Sequence, residues 1–148
     1  MRHRHWLHCC GIPIFVVMGI LALTCSWGMA AGFDVIVNKS VPETELSRSE
    51  LQSIFLGEKV RWSNRKYIKI SVIENSPAQA EFLRSIVGKT TAQFDQHWMR
   101  LMSTGRGLLP PSFSDEQQLV DFVAKQPTAI GIISTGRAYG SVKVITVK

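Results

Sequence analysis

Apolar positions along the chain repeat with two different periods, and the breaks between them outline the elements. Phe33-Asp34-Val35-Ile36-Val37-Asn38 is short and β-branched, with Gly32 before it and Lys39-Ser40-Val41-Pro42 after it, which predicts a strand running into a loop. Four later segments open like helices: Ser47-Arg48-Ser49-Glu50, Ser76-Pro77-Ala78-Gln79, Thr90-Thr91-Ala92-Gln93 and Ser114-Asp115-Glu116-Gln117. Each places a hydroxyl three residues before a carboxylate or amide, the pairing that satisfies free amides at a helix start. The helical periods behind them predict buried Leu51, Ile54 and Phe55 before a stop at Gly57, and buried Leu83, Ile86 and Val87 before Gly88. They further predict Phe94, Trp98, Leu101 and Met102 on the inner face of a third helix ending at Gly105, with Gln93, Asp95, Gln96, His97 and Arg100 facing away. Leu119, Phe122 and Val123 would be buried by a fourth helix that halts before Pro127.

Period-two or continuous apolar runs supply the remaining strands. Tyr67 to Ile73 is strand-like, Ala129-Ile130-Gly131-Ile132-Ile133 is a short apolar run, and Val142 to Val147 alternates as a half-exposed edge strand does. About four strands and four helices in this order predict an α/β fold, a single mixed sheet covered by helices.

The first residues change the picture. Arg2 and Arg4 precede an uncharged stretch from Trp6 to Gly32, apolar from Ile12 to Leu23, followed by small residues at Gly28, Ala30 and Ala31; this is the layout of a secretory signal peptide. Its apolar core of about 12 residues is short of the roughly 20 that span a bilayer. We expect residues 1–30 to be a leader cut after Ala30, with a cut after Ala31 less regular, and residues 31–148 to form one periplasmic domain without a membrane span. Cys25 after Leu21-Ala22-Leu23-Thr24 raises a lipoprotein signal as an alternative, for which Thr24 is a poor fit. Cys9, Cys10 and Cys25 all fall in the leader, so the exported chain would hold neither disulfide nor thiol and rests on its core alone. Loss of Arg2 and Arg4 lowers the formal net charge from +6 to +4. That favours anionic partners mildly, and the basic residues are scattered among acids rather than clustered with aromatics as nucleic-acid binding requires.

The segment Leu51-Gln52-Ser53-Ile54-Phe55-Leu56-Gly57-Glu58-Lys59-Val60-Arg61-Trp62 resembles the IFLG…W segment of the phosphate ABC-transporter substrate-binding family. The resemblance continues through Ile73-Glu74-Asn75-Ser76, Phe82-Leu83 and Ala129-Ile130-Gly131-Ile132, and the stretch Ser103 to Pro111 is similar to one in short phosphate-binding-like relatives. It implies one lobe of a type II periplasmic binding protein. Full members hold a tetrahedral oxyanion between two lobes with hydroxyls, backbone amides and an arginine. A single lobe would bind with half a cleft or borrow the other half from another chain.

The resemblance implies phosphate or another small oxyanion as ligand, association with ABC-type uptake and no catalysis. Ser76, with Asn75 beside it, matches the serine that opens a helix and touches the anion; the residues themselves favour a plain helix cap. The family's Ser-Gly-Thr is Ser76-Pro77-Ala78 here, and its arginine four residues earlier is Val72. From the residues themselves, Arg106 in Thr104-Gly105-Arg106-Gly107 could grip an oxyanion with two parallel hydrogen bonds, or be a solvated arginine in a helix-end turn. Thr135, in Ser134-Thr135-Gly136-Arg137, follows a strand end where α/β sheets present ligand loops. Trp62 and Trp98 could line a pocket, but aromatics at these spacings read more readily as core. Past the leader, His97 is the one histidine and has no carboxylate neighbour in the sequence pattern, so no metal site, Ser-His-Asp set or cofactor is expected, and nothing marks Asp34 or Glu74 as unusually acidic. The alternative function is an accessory lobe that binds an envelope transporter, porin or sensor instead of phosphate; a hydrolase ranks below both.

Overall fold

The computed structural model describes residues 32–137 and 139–148; the expected leader, with Trp27 and the three cysteines, lies outside them. Strand β1 (Phe33–Val37) is followed by β2 (Glu45–Leu46), helix α1 (Arg48–Phe55), β3 (Lys69–Ile70) and β4 (Val72–Ile73). Helix α2 (Pro77–Phe82) continues as a π-helical turn (Leu83–Val87), and α3 (Thr91–Ser103), β5 (Ser112–Phe113), α4 (Glu116–Lys125), β6 (Ala129–Ser134) and β7 (Lys143–Val147) complete the chain.

Five strands form one mixed sheet in the order β2-β7-β1-β6-β3. β1 lies antiparallel to both β6 and β7, while β2 runs parallel to β7 and β3 parallel to β6. Side-chain alternation sends Val35, Val37, Ile130 and Ile132 to one face, where α1, α2 and α3 contribute Leu51, Phe55, Phe82 and Phe94. Ile36 and Ile133 point to the other face, under Leu119, Val120 and Val123 of α4. At Gly131 a Cβ would stand 2.6 Å from Leu119 Cδ2, so the bare glycine is what lets α4 press onto the sheet. The mixed sheet covered by helices is therefore observed, with both of its faces buried.

Several local expectations change. The Tyr67–Ile73 run splits at Ser71: its N–H still donates to Ile130 O on β6, but Val72 N–H turns to Pro111 O, and β4 pairs with β5 in a separate two-stranded ladder. β7 is not an edge, because the two-residue β2 runs outside it. Helix α4 is capped by Asp115, whose carboxylate accepts from Gln118 N–H, not by Ser114 one residue earlier. Val120 takes the buried position on α4 and Phe122 is half-buried against Phe113. Met102 is exposed, since α3 lies on the surface and buries only Phe94 and Trp98. Ser47 and Thr90 do form complete capping boxes. No helix among the described residues is long and apolar enough to cross a membrane.

Candidate functional site

Helix α3 is anchored across the end of α1, and this anchoring creates the two concave surfaces of the lobe. The last carbonyls of a helix have no partner within it. Trp98 Nε1–H donates to Phe55 O at 3.0 Å and His97 Nε2 lies 2.9 Å from Leu56 O, so consecutive residues of α3 satisfy consecutive carbonyls of α1. A carbonyl only accepts, which makes Nε2 the protonated nitrogen of His97. The expected outward-facing histidine is thus half-buried and structural. Gly57 and Gly107 flank the indole; a Cβ at either would stand 3.1 Å or 3.2 Å from its ring. Trp98 is core, as expected, and it is also the wall between two cavities.

On one side lies a cavity of about 490 Å³ bounded by β4, α2, the first half of α3 and the Leu109–Ser112 strand approach. Its polar lining includes Glu74, Asn75, Gln79 and Asp95, with no lysine or arginine. Asn75 takes the left-handed conformation, φ 54°. Ser112 Oγ–H donates to Glu74 Oε1 at 2.9 Å. Ser76 caps α2, its Oγ accepting from Gln79 N–H at 3.3 Å. The reciprocal half of the capping box is missing: the Gln79 side chain, read in the sequence as the residue that reaches back, is only 3% exposed, and neither Nε2 nor Oε1 has a hydrogen-bond partner.

Beyond Trp98 is a groove of about 690 Å³, walled by Val60, Tyr67, Leu101, Leu108, Pro110 and Phe122. Arg106 and Lys69 line it and no carboxylate does. The end of α3 sets the arginine: Gly105, at φ 68°, lets its N–H return to Met102 O while Arg106 N–H reaches Leu101 O, the double bond that closes a helix C-terminus. Lys69 Nζ donates to Gln126 Oε1 at 2.9 Å. Nearby, the Arg61 guanidinium stacks 3.8 Å over the Tyr67 ring.

The six candidate residues therefore do not converge on one point. Asn75 lines the acidic cavity, and Ser76, next to it in the chain, caps α2 without lining it. Arg106 faces the groove on the far side of Trp98. Beside it, Thr104 Oγ1 is occupied by the carbonyls of Arg100 and Leu101, at 3.0 and 3.1 Å. Thr135 stands at the end of β6, its N–H donating to Gly32 O at 3.2 Å. Asp34 accepts from Gly136 N–H at 3.2 Å, and Trp62 is buried with its indole N–H on Thr128 O. Sequence reasoning missed Lys69, Gln79 and Asp95. A helix-pattern reading gives Gln79 to the cap, and no local signal marks it as buried. No group of three or more His, Cys, Asp and Glu among the described residues could hold a metal ion.

No family model matches the chain, and no curated protein matches it. Solved structures do. An ABC-type phosphate transport receptor from Vibrio cholerae is similar with a TM-score of 0.62 and 22% identity, over 79% of this chain and 46% of that one. PstS from Borrelia burgdorferi gives a TM-score of 0.61 and 18% identity, over 80% and 47%. A phosphate-binding protein from Stenotrophomonas maltophilia gives 0.54 and 15%, over 80% and 39%. The chain spans less than half the length of these proteins. At such identities the likeness is one of fold: this α/β unit has the architecture of part of a periplasmic phosphate-binding protein, about one lobe.

Proposed function

We propose that this lobe works outside the cytoplasm as a solute-binding-like module of the phosphate-transport type, and that it holds its oxyanion at Arg106 and Lys69. The observation that carries the placement is electrostatic. Arg106 and Lys69 line one groove without a carboxylate, whereas the helix start at Asn75–Ser76 opens beside Glu74 and Asp95. A helix N-terminus supplies roughly half a positive charge, and two carboxylates outweigh it. Pro77 removes one amide donor from that start as well. The family's own location for the anion is thus unfavourable in this chain, and the end of α3 replaces it. The module is non-catalytic in this reading: His97 spends its Nε2 on a carbonyl rather than serving a nucleophile. Its export rests on the leader.

Two charge-assisted contacts of about 1.5–3 kcal/mol each, reduced by solvent at an open groove, correspond to a dissociation constant of about 1 mM. Isothermal titration of the purified protein with phosphate and then sulfate at low salt tests this. Saturable heat that disappears in Arg106→Ala and persists in Ser76→Ala supports the placement; no heat at several times that concentration refutes phosphate-type binding.

One observation favours a second reading, the accessory lobe. Val60, Tyr67, Leu108 and Leu109 leave exposed apolar surface along the same groove, with Leu108 86% exposed, and apolar surface of this kind is typical of docking sites. Such a partner would be an envelope transporter, porin or sensor. Co-purification of a groove-dependent partner without anion binding would favour it.

A further inference from the structure

The groove that holds Arg106 and Lys69 runs along an open edge of the sheet. β3 is the terminal strand of the five, and the groove beside it is lined from both faces. Trp98 and Leu101 pack with the core on the α3 side, Phe122 with the core under α4. A cavity that touches both runs past the edge of the strand between them. Successive backbone groups of an extended chain turn to opposite sides. Lys69 and Ser71 direct their N–H groups to Thr128 O and Ile130 O, toward β6; on the other side Ile68 N–H donates to Val60 O at 2.9 Å and Val72 N–H to Pro111 O at 3.1 Å. Ile70 lies between these two and faces the same way. Among the described residues neither its N–H nor its C=O has a partner. The ladder between β4 and β5, carried one step back, would bring the N–H of residue 111 to Ile70 O, but Pro111 has none to give. The edge is therefore interrupted from Ile68 to Val72, a span of about 13 Å at the rise of an extended chain.

We propose that this gap receives the C-terminal end of another polypeptide, whose last residues add to β3 as a short strand and whose terminal carboxylate is held by Arg106 and Lys69. This rests on these two cations being the oxyanion contacts; the edge and the walls around them specify what carries the anion. Ile70 offers one donor and one acceptor side by side, and a single ligand residue in the antiparallel sense takes both, giving its N–H to Ile70 O and accepting from Ile70 N–H. Val60, Tyr67, Leu108 and Pro110 wall the groove and suit apolar side chains. Its volume of about 690 Å³ falls in the range of sites that enclose whole organic ligands. The gap takes about three residues, and Val60 and Pro111 already hold the flanking edge positions, so a chain end fits where a strand passing through would not. No carboxylate in the lining repels the terminal charge, and a guanidinium can meet it with two parallel hydrogen bonds.

The probe is the tripeptide acetyl-Ala-Val-Leu with a free carboxylate, titrated against the purified protein. Saturable binding with a dissociation constant below about 1 mM is expected, tighter than phosphate because the edge and walls add to the charge. The C-terminal amide of the same peptide should bind at least about tenfold more weakly, and so should the acid to Arg106→Ala, since each removes the charge-assisted contact. Pairing at Ile70 is read by methylating the peptide nitrogens. Successive N–H groups of a strand point to opposite sides, so an N-methyl on one of the Val and Leu nitrogens should cost at least about tenfold and on the other several-fold at most. No saturable binding of the acid at about 10 mM, equal binding of acid and amide, or equal effects of the two methylations overturns the proposal. Inorganic phosphate titrates the cations alone. Phosphate binding without peptide binding defeats the strand addition and leaves the oxyanion reading standing; absence of both defeats the two together.

Discussion

The indole Nε1–H of Trp98 donates to the backbone carbonyl of Phe55 at 3.0 Å, and this bond, with the neighbouring one from His97 to Leu56 O, holds α3 over the end of α1. Trp98→Phe keeps most of the apolar contact but leaves the Phe55 carbonyl buried without a donor, which costs about 1–3 kcal/mol. Trp98→Ala adds a void and should cost about 3–5 kcal/mol; it also removes the wall between cavity and groove. Urea unfolding of both variants measures this. A loss below about 0.5 kcal/mol in Trp98→Phe would mean the bond does not anchor the helix.

Gly57 is fixed twice over. Its φ is +75°, which side chains resist, and a Cβ there would stand 3.1 Å from Trp98 Cη2. Gly57→Ala should destabilise by about 1–3 kcal/mol, and tryptophan fluorescence should shift with it as the indole moves. Gly88, at φ +72° with open space around it, carries the backbone penalty alone, so Gly88→Ala should cost less than Gly57→Ala in the same assay.

Asn38 ends β1 by capping the last turn of α4. Its Nδ2 donates to Val123 O and Ala124 O, both at 2.8 Å, and its Oδ1 accepts from Ser40 N–H. Asn38→Asp would replace the donor with a buried carboxylate facing two carbonyls. Loss of about 2–4 kcal/mol in urea unfolding is expected, with Asn38→Ala less severe.

The Glu50 carboxyl is pulled from its ordinary 4.5 to about 2, chiefly by the hydrogen bond from Lys59 and then by the Ser47 backbone N–H. A carboxylate depressed in the folded state stabilises above its unfolded pKa and loses that contribution as pH falls. Stability should therefore decline between pH 4.5 and about 2, and Glu50→Gln should flatten this part of the profile. The Glu50 side chain is 46% exposed, so solvent screening makes the effect smaller than the full shift implies, and 1 M salt should shrink it further. An unaltered profile in Glu50→Gln would assign the acid limb to other groups.

What could be read from the sequence was local. The caps at Ser47 and Thr90 and the stops at Gly57, Gly88 and Gly105 depend on residues three to five apart, and all of them are present, the glycines in left-handed conformation. The Ala129–Ile133 strand was legible for the same reason: a short β-branched run bounded by turn residues. β2 was not, because Glu45 pairs with Thr146 about a hundred residues away and two residues carry no period. His97 fell on the polar side of its helix by pattern, and only the orphan carbonyl of Leu56 draws it inward. Ser76, through the resemblance, and Arg106, through its glycine-flanked turn, are candidate anion contacts beside plain structural readings. Their separation by Trp98 is a tertiary fact, and so is the burial of Gln79, whose spacing suits a capping box that it does not complete.

The most direct test of an oxyanion held at the end of α3 is a phosphate titration of the ¹⁵N-labelled protein followed by amide chemical shifts. Saturable shifts at Gly105, Arg106, Gly107 and Lys69, absent in Arg106→Ala, are the predicted result. Shifts confined to Asn75, Ser76 and Gln79 with the groove amides unmoved would contradict the account, because they would put the anion beside Glu74 and Asp95 after all.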